Sequence, residues 1–138
     1  MSAAPLAVHN GRRLGIDVNV TNTDYAVVVD VPGGVKCAFQ VMLTNASTSL
    51  TTATWGLFSA ASGSGTILAN GVNSLTSLTA AAKVIHVNGT DTATLTAQET
   101  TSGSGRSILY FRVGTAQGGA ATVDLYVRAI PLPTSAAQ

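Results

Sequence analysis

The chain has 138 residues, which is enough for one domain with its own hydrophobic core. Its formal net charge of +1, without clustered Lys and Arg, argues against a nucleic-acid partner. Because no apolar run reaches the roughly 18 residues of a membrane span, we also expect that the chain has no membrane partner and does not cross a membrane. Charged residues make up only 9% of the sequence, which fits either an ordinary neutral β-domain or a surface covered by other subunits.

Residues 1–13 are predicted to form an N-terminal arm. They contain no apolar stretch of signal-peptide length, and they include the adjacent basic pair Arg12-Arg13. Such a pair is either simply solvated or able to grip a neighbouring subunit. The single cysteine, Cys37, cannot form an intrachain disulfide, so synthesis in a reducing cytosol is the simplest interpretation.

Period-two alternation, with an apolar residue at every second position, dominates the first part of the domain. It covers residues 14–21, 24–31 and 35–43, with a tight turn expected at Asn22-Thr23 and a glycine-rich turn at 32–34. Alternation with period two is typical of strands with one buried face. These segments therefore predict a three-stranded meander.

The middle of the chain predicts short strands and at most one short helix. Trp55 lies in the first strand, and residues 75–83 could form a turn or two of helix, because Leu75 and Leu78 are three apart and an Ala run follows. The extended segments in this part are residues 52–58, 66–69, 84–87 and 92–97.

The C-terminal segments 106–113 and 122–130 alternate in the same way. Pairing them as an antiparallel hairpin, with Arg112 opposite Asp124, separates apolar from polar side chains. Tyr110 would then face Tyr126 on the outside. The inner positions of this pairing are Leu109, Phe111, Val113, Val123, Leu125 and Val127.

About eight short strands separated by turn signals predict an all-β fold, an antiparallel β-sandwich resembling a jelly roll. Two facing sheets would cover the apolar face that each strand presents. We expect a single domain over residues 14–133 and a C-terminal tail over 134–138, because Pro131 and Pro133 end the last strand.

The sequence offers no recognisable catalytic or metal-binding group. Of the two histidines, His9 falls in the arm and His86 in a strand, on the side opposite its apolar neighbours. Asp24 and Asp30 share a strand face but lie about 20 Å apart, too far for paired acid chemistry. Cys37 is expected to be buried and inert. We therefore predict no enzyme, no cofactor and no metal.

Three aromatic residues, Trp55, Tyr110 and Tyr126, could form a carbohydrate platform, but core packing or a subunit contact explains them more simply. Together with the charged residues near them and in the arm, they are the candidate interface residues. The full set is Arg12, Arg13, Trp55, Tyr110, Arg112, Asp124, Tyr126 and Arg128.

Four segments resemble small structural proteins encoded near the head genes of tailed bacteriophages. They are Trp55-Gly-Leu-Phe-Ser59, Gly65-Thr-Ile-Leu68, Leu75-Thr-Ser-Leu-Thr-Ala80 and Ile108-Leu-Tyr-Phe-Arg-Val-Gly-Thr-Ala-Gln-Gly-Gly-Ala-Ala-Thr-Val-Asp-Leu-Tyr-Val127. The resemblance covers about the second two-thirds of the chain and contains no invariant functional motif.

This resemblance implies a virion β-domain, such as a capsid decoration (cement) protein. Such a protein would be made in the host cytoplasm, would bind the major capsid protein on the outer shell and would form trimers or dimers. The resemblance implies no catalytic residues in this sequence, because such proteins have none. The alternative is a carbohydrate- or receptor-binding β-sandwich module of a tail or fibre.

Overall fold

A computed structural model of the chain describes residues 9–31, 34–65, 67–75, 78–79, 83–89, 93–94 and 106–132. This part contains nine strands and one short 3-10 helix, Ala61–Gly63. None of its helices is long and apolar enough to cross a membrane. The strands are β1 (His9–Asp17), β2 (Asp24–Val29), β3 (Lys36–Thr44), β4 (Thr54–Phe58), β5 (Ile67–Ser74), β6 (Val84–Asn88), β7 (Ala93–Thr94), β8 (Ser107–Thr115) and β9 (Thr122–Pro131).

The strands form two antiparallel sheets that share one apolar core. Sheet A has the order β1-β9-β3-β6, with β7 also paired to β3, and sheet B has the order β2-β8-β4-β5. The predicted all-β antiparallel sandwich is therefore confirmed. Most of the predicted short helix near 75–83 and all of the predicted tail at 134–138 lie outside the described residues.

The core consists of the inward side chains of both sheets. At its centre Trp55 of β4 stacks on Phe111 of β8, with ring centroids 5.4 Å apart. Burial of this kind stabilises the fold mainly by removing apolar surface from water. All the inner positions predicted for the two C-terminal strands are buried, as are Cys37, Phe39, Val41 and Leu43 of β3.

The predicted meander is wrong, because its strands do not pair with one another. β1 pairs with β9, β2 pairs with β8, and β3 pairs with β9 and β6. Along the chain β1 lies in sheet A, β2 in sheet B and β3 in sheet A again. Strands that are consecutive in sequence thus turn their apolar faces toward each other across the core, and the alternation that they share does not specify a hydrogen-bonded neighbour.

The predicted hairpin of the two C-terminal strands is wrong for the same reason. β8 lies between β2 and β4 in sheet B, whereas β9 lies between β1 and β3 in sheet A. Arg112 is consequently opposite Asp24, and Asp124 is opposite Thr44. Tyr110 and Tyr126 lie on the outer faces of different sheets, since each alternates with buried neighbours.

The first strand differs from the predicted segment 14–21 at both ends, because it runs from His9 to Asp17. It begins at His9, so residues 9–13, expected in the arm, are paired with β9. The register shifts between Arg13 and Ile16, where Gly15 has a φ of +68°. Such a bulge inserts one extra residue and re-aims the side chains beside it. Leu14 is therefore 51% exposed, although the alternation placed it inside.

Candidate functional site

Four side chains form a row across the outer face of sheet A. Arg12 of β1 is opposite Tyr126 of β9, Tyr126 is opposite Met42 of β3, and Met42 is opposite His86 of β6. Because alternate residues of a strand share a face, these four point away from the core that their neighbours fill. The second row along the strands contains Arg128 opposite Gln40.

These two rows border a groove of about 560 Å³. Its floor is the sheet itself at Gly11, Val41 and Val127. We call it the sheet A groove and define it by its outward side chains, which are Arg12, Gln40, Met42, His86, Tyr126 and Arg128.

The sheet A groove has an apolar centre and a polar rim. Tyr126 and Met42 are partly buried, whereas Arg12, His86 and Arg128 are exposed. Aromatic residues, Met and Arg are the types enriched where proteins bind other proteins, and Lys, Asp and Glu are depleted there. The groove is therefore similar in composition to the interfaces at which proteins bind other proteins.

Neither arginine of the groove is neutralised by a carboxylate of the described residues. The ion pair found in this part of the chain joins Arg112 to Asp24. Asp124 lies on the same outer face as Tyr126, but its Oδ1 accepts a hydrogen bond from the N–H of Gly15 at 2.8 Å. Its Oδ2 accepts one from the amide of Asn45 at 2.9 Å. Asp124 thus fixes the bulge of β1, and the predicted pair with Arg112 is wrong.

Arg13 is directed differently from Arg12. It is opposite the inward-facing Leu125, and its guanidinium carbon lies 5.6 Å from the ring centre of Tyr25 in β2. An arginine over an aromatic ring is attracted by the negative face of the ring. Arg13 therefore closes the edge where β1 of one sheet meets β2 of the other, and it lies outside the groove.

On the outer face of sheet B, Arg112 belongs to a local network. Its Nη1 donates to Asp24 at 2.9 Å and its Nη2 donates to the side-chain oxygen of Asn22 at 3.2 Å. The N–H of Ser62 donates to the second oxygen of Asp24 at 2.9 Å. This network holds the 3-10 helix against sheet B, and Tyr110 lies beside it on the same face, two residues from Arg112 along β8.

The aromatic platform suggested by the sequence is not assembled. Trp55 is 0% exposed, so it belongs to the core and not to a surface. Tyr110 and Tyr126 are on opposite outer faces, and only Tyr126 lines the sheet A groove. The structure therefore brings together Arg12, Tyr126 and Arg128, with Asp124 in the next row of the same face, and it places Trp55, Tyr110 and Arg112 elsewhere.

Sequence reasoning missed Met42 and Gln40, which lie opposite Tyr126 and Arg128 respectively. Their outward positions followed from the alternation of β3, but nothing local indicated that β3 lies beside β9. His86 was expected to face solvent or an interface, and its side chain is exposed at the rim of the groove. Among the described residues, no three His, Cys, Asp or Glu side chains are close enough to share a metal ion.

No protein-family model matches the sequence. No curated protein matches it either. A solved structure to which the chain is similar is described as the capsid asymmetric unit of cyanophage Pam1. That similarity covers 96% of this chain and 94% of the other, at 14% sequence identity and a TM-score of 0.48.

Proposed function

We propose that this chain is a non-enzymatic structural protein of a phage virion, and that it acts as a capsid decoration (cement) protein on the outer shell. The sequence resemblance of residues 108–127 to small proteins of phage head regions suggests this class. The low fraction of charged residues, 9%, suits a molecule whose surface lies largely against other subunits.

The observation that carries the proposal is the sheet A groove. A partly buried Tyr126 and Met42 with exposed Arg12 and Arg128 beside them supply the aromatic, thioether and guanidinium groups that dominate binding energy at protein interfaces. They are mounted on β1, β9 and β3, which are paired strands rather than loops. A surface fixed in this way loses little conformational entropy when it binds.

The sandwich behind the groove is a rigid support. At one end of it the side-chain oxygen of Gln117 accepts hydrogen bonds from the backbone N–H groups of Thr51, Thr52 and Ala53. This joins the β8–β9 connection to the segment that leads into β4. A protein that stabilises a shell must itself resist deformation, and cross-connected loops serve that purpose.

We further propose that the chain acts as a dimer or trimer and that the major capsid protein is its partner. Several copies held together would bind several identical sites on a shell at once, so that modest individual contacts give high avidity. Tyr110 and Arg112 on sheet B lie on the face opposite to the groove and are the candidates for contacts between copies.

The test uses shells of the parent phage from which this protein has been removed. Co-sedimentation should show saturable binding of the wild type, and the bound shells should resist heat better than bare ones. Tyr126→Ala should weaken binding by about tenfold or more, because a central aromatic contact is lost. Val20→Ala is the control, since Val20 is an exposed apolar residue between β1 and β2 that neither lines the groove nor belongs to the face proposed for contacts between copies.

Two outcomes would count against the proposal. One is that the wild type does not bind the shells at all. The other is that it instead binds a saccharide saturably and loses this binding in Tyr126→Ala, which would favour a carbohydrate- or receptor-binding module of a tail or fibre.

A further inference from the structure

The two cations of the sheet A groove lie close together on one face. Arg12 is opposite Tyr126, and Arg128 follows Tyr126 by two residues on the same strand. Arg12 and Arg128 are therefore diagonal neighbours, whose Cα atoms are about 7–8 Å apart in an antiparallel sheet. Both side chains are exposed.

The protein does not neutralise this pair with its own described carboxylates. No acidic residue lines the groove in the described part of the chain. Both oxygens of Asp124, the acidic residue in the next row of the same face, accept hydrogen bonds from Gly15 and Asn45. By contrast, Arg112 has Asp24 and Arg13 has the ring of Tyr25. Arg12 and Arg128 are thus two neighbouring positive charges directed to the exterior.

The chemistry that fits this pair is a pair of carboxylates. Guanidinium groups are planar forks that bind carboxylates through two parallel hydrogen bonds. In an extended segment, alternate side chains point the same way and are about 6.6 Å apart, at 3.3 Å per residue. This repeat is close to the diagonal spacing of Arg12 and Arg128. The ring of Tyr126 and the thioether of Met42 would contact the aliphatic parts of such a segment.

We propose that the sheet A groove binds an extended acidic segment of a partner protein, with carboxylates two residues apart on Arg12 and Arg128. This inference rests on the proposed function, because it names the chemistry of the partner at the same surface. The spacing favours a polypeptide over a free anion, since a single small anion would satisfy only part of this arrangement.

A calorimetric titration with synthetic peptides tests the proposal. The probe is a short peptide with Glu at alternate positions and Ser between them, and the comparison peptide has Gln in place of every Glu. The acidic peptide should bind, and its affinity should fall as salt is added. The double variant Arg12→Gln with Arg128→Gln should lower the affinity for the acidic peptide by about tenfold or more. Arg106→Gln, which changes an exposed arginine outside the groove, should leave binding unchanged.

The proposal is overturned if the Gln peptide binds as well as the Glu peptide, or if Arg106→Gln weakens binding as much as the double variant. It is also overturned if inorganic phosphate or a uronic-acid oligosaccharide binds this groove while the acidic peptide does not. Far-ultraviolet circular dichroism and thermal melting of each variant establish that the exposed substitutions leave the fold intact.

Shell binding separates this inference from the proposed function. If the wild type binds shells and the double variant binds them equally well, the acidic-segment inference fails while the decoration role stands. If the wild type does not bind shells, the decoration role fails, whatever the peptide result.

Discussion

Arg112 of β8 and Asp24 of β2 form an ion pair at 2.9 Å between directly opposite residues of sheet B. Both side chains are partly buried. The same carboxylate also accepts the N–H of Ser62, so one acidic group connects two strands and the 3-10 helix.

Replacing Asp24 by Asn should lower the free energy of unfolding by about 1–2 kcal/mol, because Arg112 then loses its charged partner while partly buried. Urea denaturation measures this change. The control is Asp30→Asn, since Asp30 is an exposed residue of the same segment and should change stability by about 0.5 kcal/mol or less. Equal effects of the two substitutions would contradict the structural role assigned to Asp24.

Gly11 of β1 should tolerate no larger residue. A Cβ built there overlaps the backbone carbonyl of Val28 and lies 2.9 Å from a methyl group of Val27, so the edges of the two sheets approach too closely for a side chain. Gly11→Ala should therefore destabilise the protein by about 1–3 kcal/mol in urea denaturation. Gly119→Ala is the matched control, because a Cβ at Gly119 meets nothing within 4 Å. Unchanged stability of Gly11→Ala would show that β1 and β2 are farther apart.

The sequence predicts well which side of each strand faces the core. Alternation alone placed Val27, Phe39 and Leu125 inside, and all three are buried. This succeeds because a strand with one covered face must alternate, whatever its neighbours are. The exposed Leu14 and Val20 are exceptions. The bulge at Gly15 shifts the register beside Leu14, and Val20 lies beyond the end of β1, and the alternation marks neither change.

The partners of each strand could not be predicted in the same way. The predicted hairpin of β8 and β9 placed their apolar side chains on one face and their polar side chains on the other, yet the two strands lie in different sheets. An alternating strand can pair with any antiparallel neighbour that also alternates. Its apolar face can equally be covered by a strand of the other sheet, across the core. The sheet A groove depends on three such long-range pairings, which is why Arg12, Tyr126 and Arg128 were identified singly and Met42 was not.

Trp55 should behave as a core residue. It is the single tryptophan of the chain, so the intrinsic tryptophan emission reports on it alone. Because the side chain is fully buried against Phe111, its fluorescence should be insensitive to iodide in the folded state and become quenchable on unfolding. Trp55→Ala should lower stability by about 3–5 kcal/mol. Iodide quenching of the native protein would instead place Trp55 at the surface, where it could contribute to a carbohydrate platform.

Gln117 should contribute to stability through its side-chain oxygen. That oxygen accepts three backbone N–H groups at 3.1, 3.1 and 3.2 Å, and the amide nitrogen donates to the hydroxyl of Thr51 at 3.0 Å. Gln117→Ala removes this acceptor and should cost about 0.5–1.5 kcal/mol, because water can replace it at the exposed Thr51 and Thr52 but less readily at the buried Ala53. Gln117→Glu keeps an acceptor oxygen and should be closer to the wild type. Faster amide hydrogen exchange of Thr51, Thr52 and Ala53 in the alanine variant would locate the effect.

The buried thiol of Cys37 should make the free energy of unfolding depend on pH. Its side chain is fully enclosed, and burial raises the pKa of the thiol above its usual value, because the thiolate is poorly solvated there. The thiol should thus react with a disulfide reagent only when the protein unfolds. Unfolded chains lose this proton at lower pH than folded ones, so the free energy of unfolding should fall as the pH rises above the pKa of an unfolded cysteine thiol, about 8.5. Cys37→Ala should remove that part of the pH dependence, at the expense of a small cavity. If the native thiol reacts as fast as the denatured one at neutral pH, then β3 does not keep this side chain inside the sandwich.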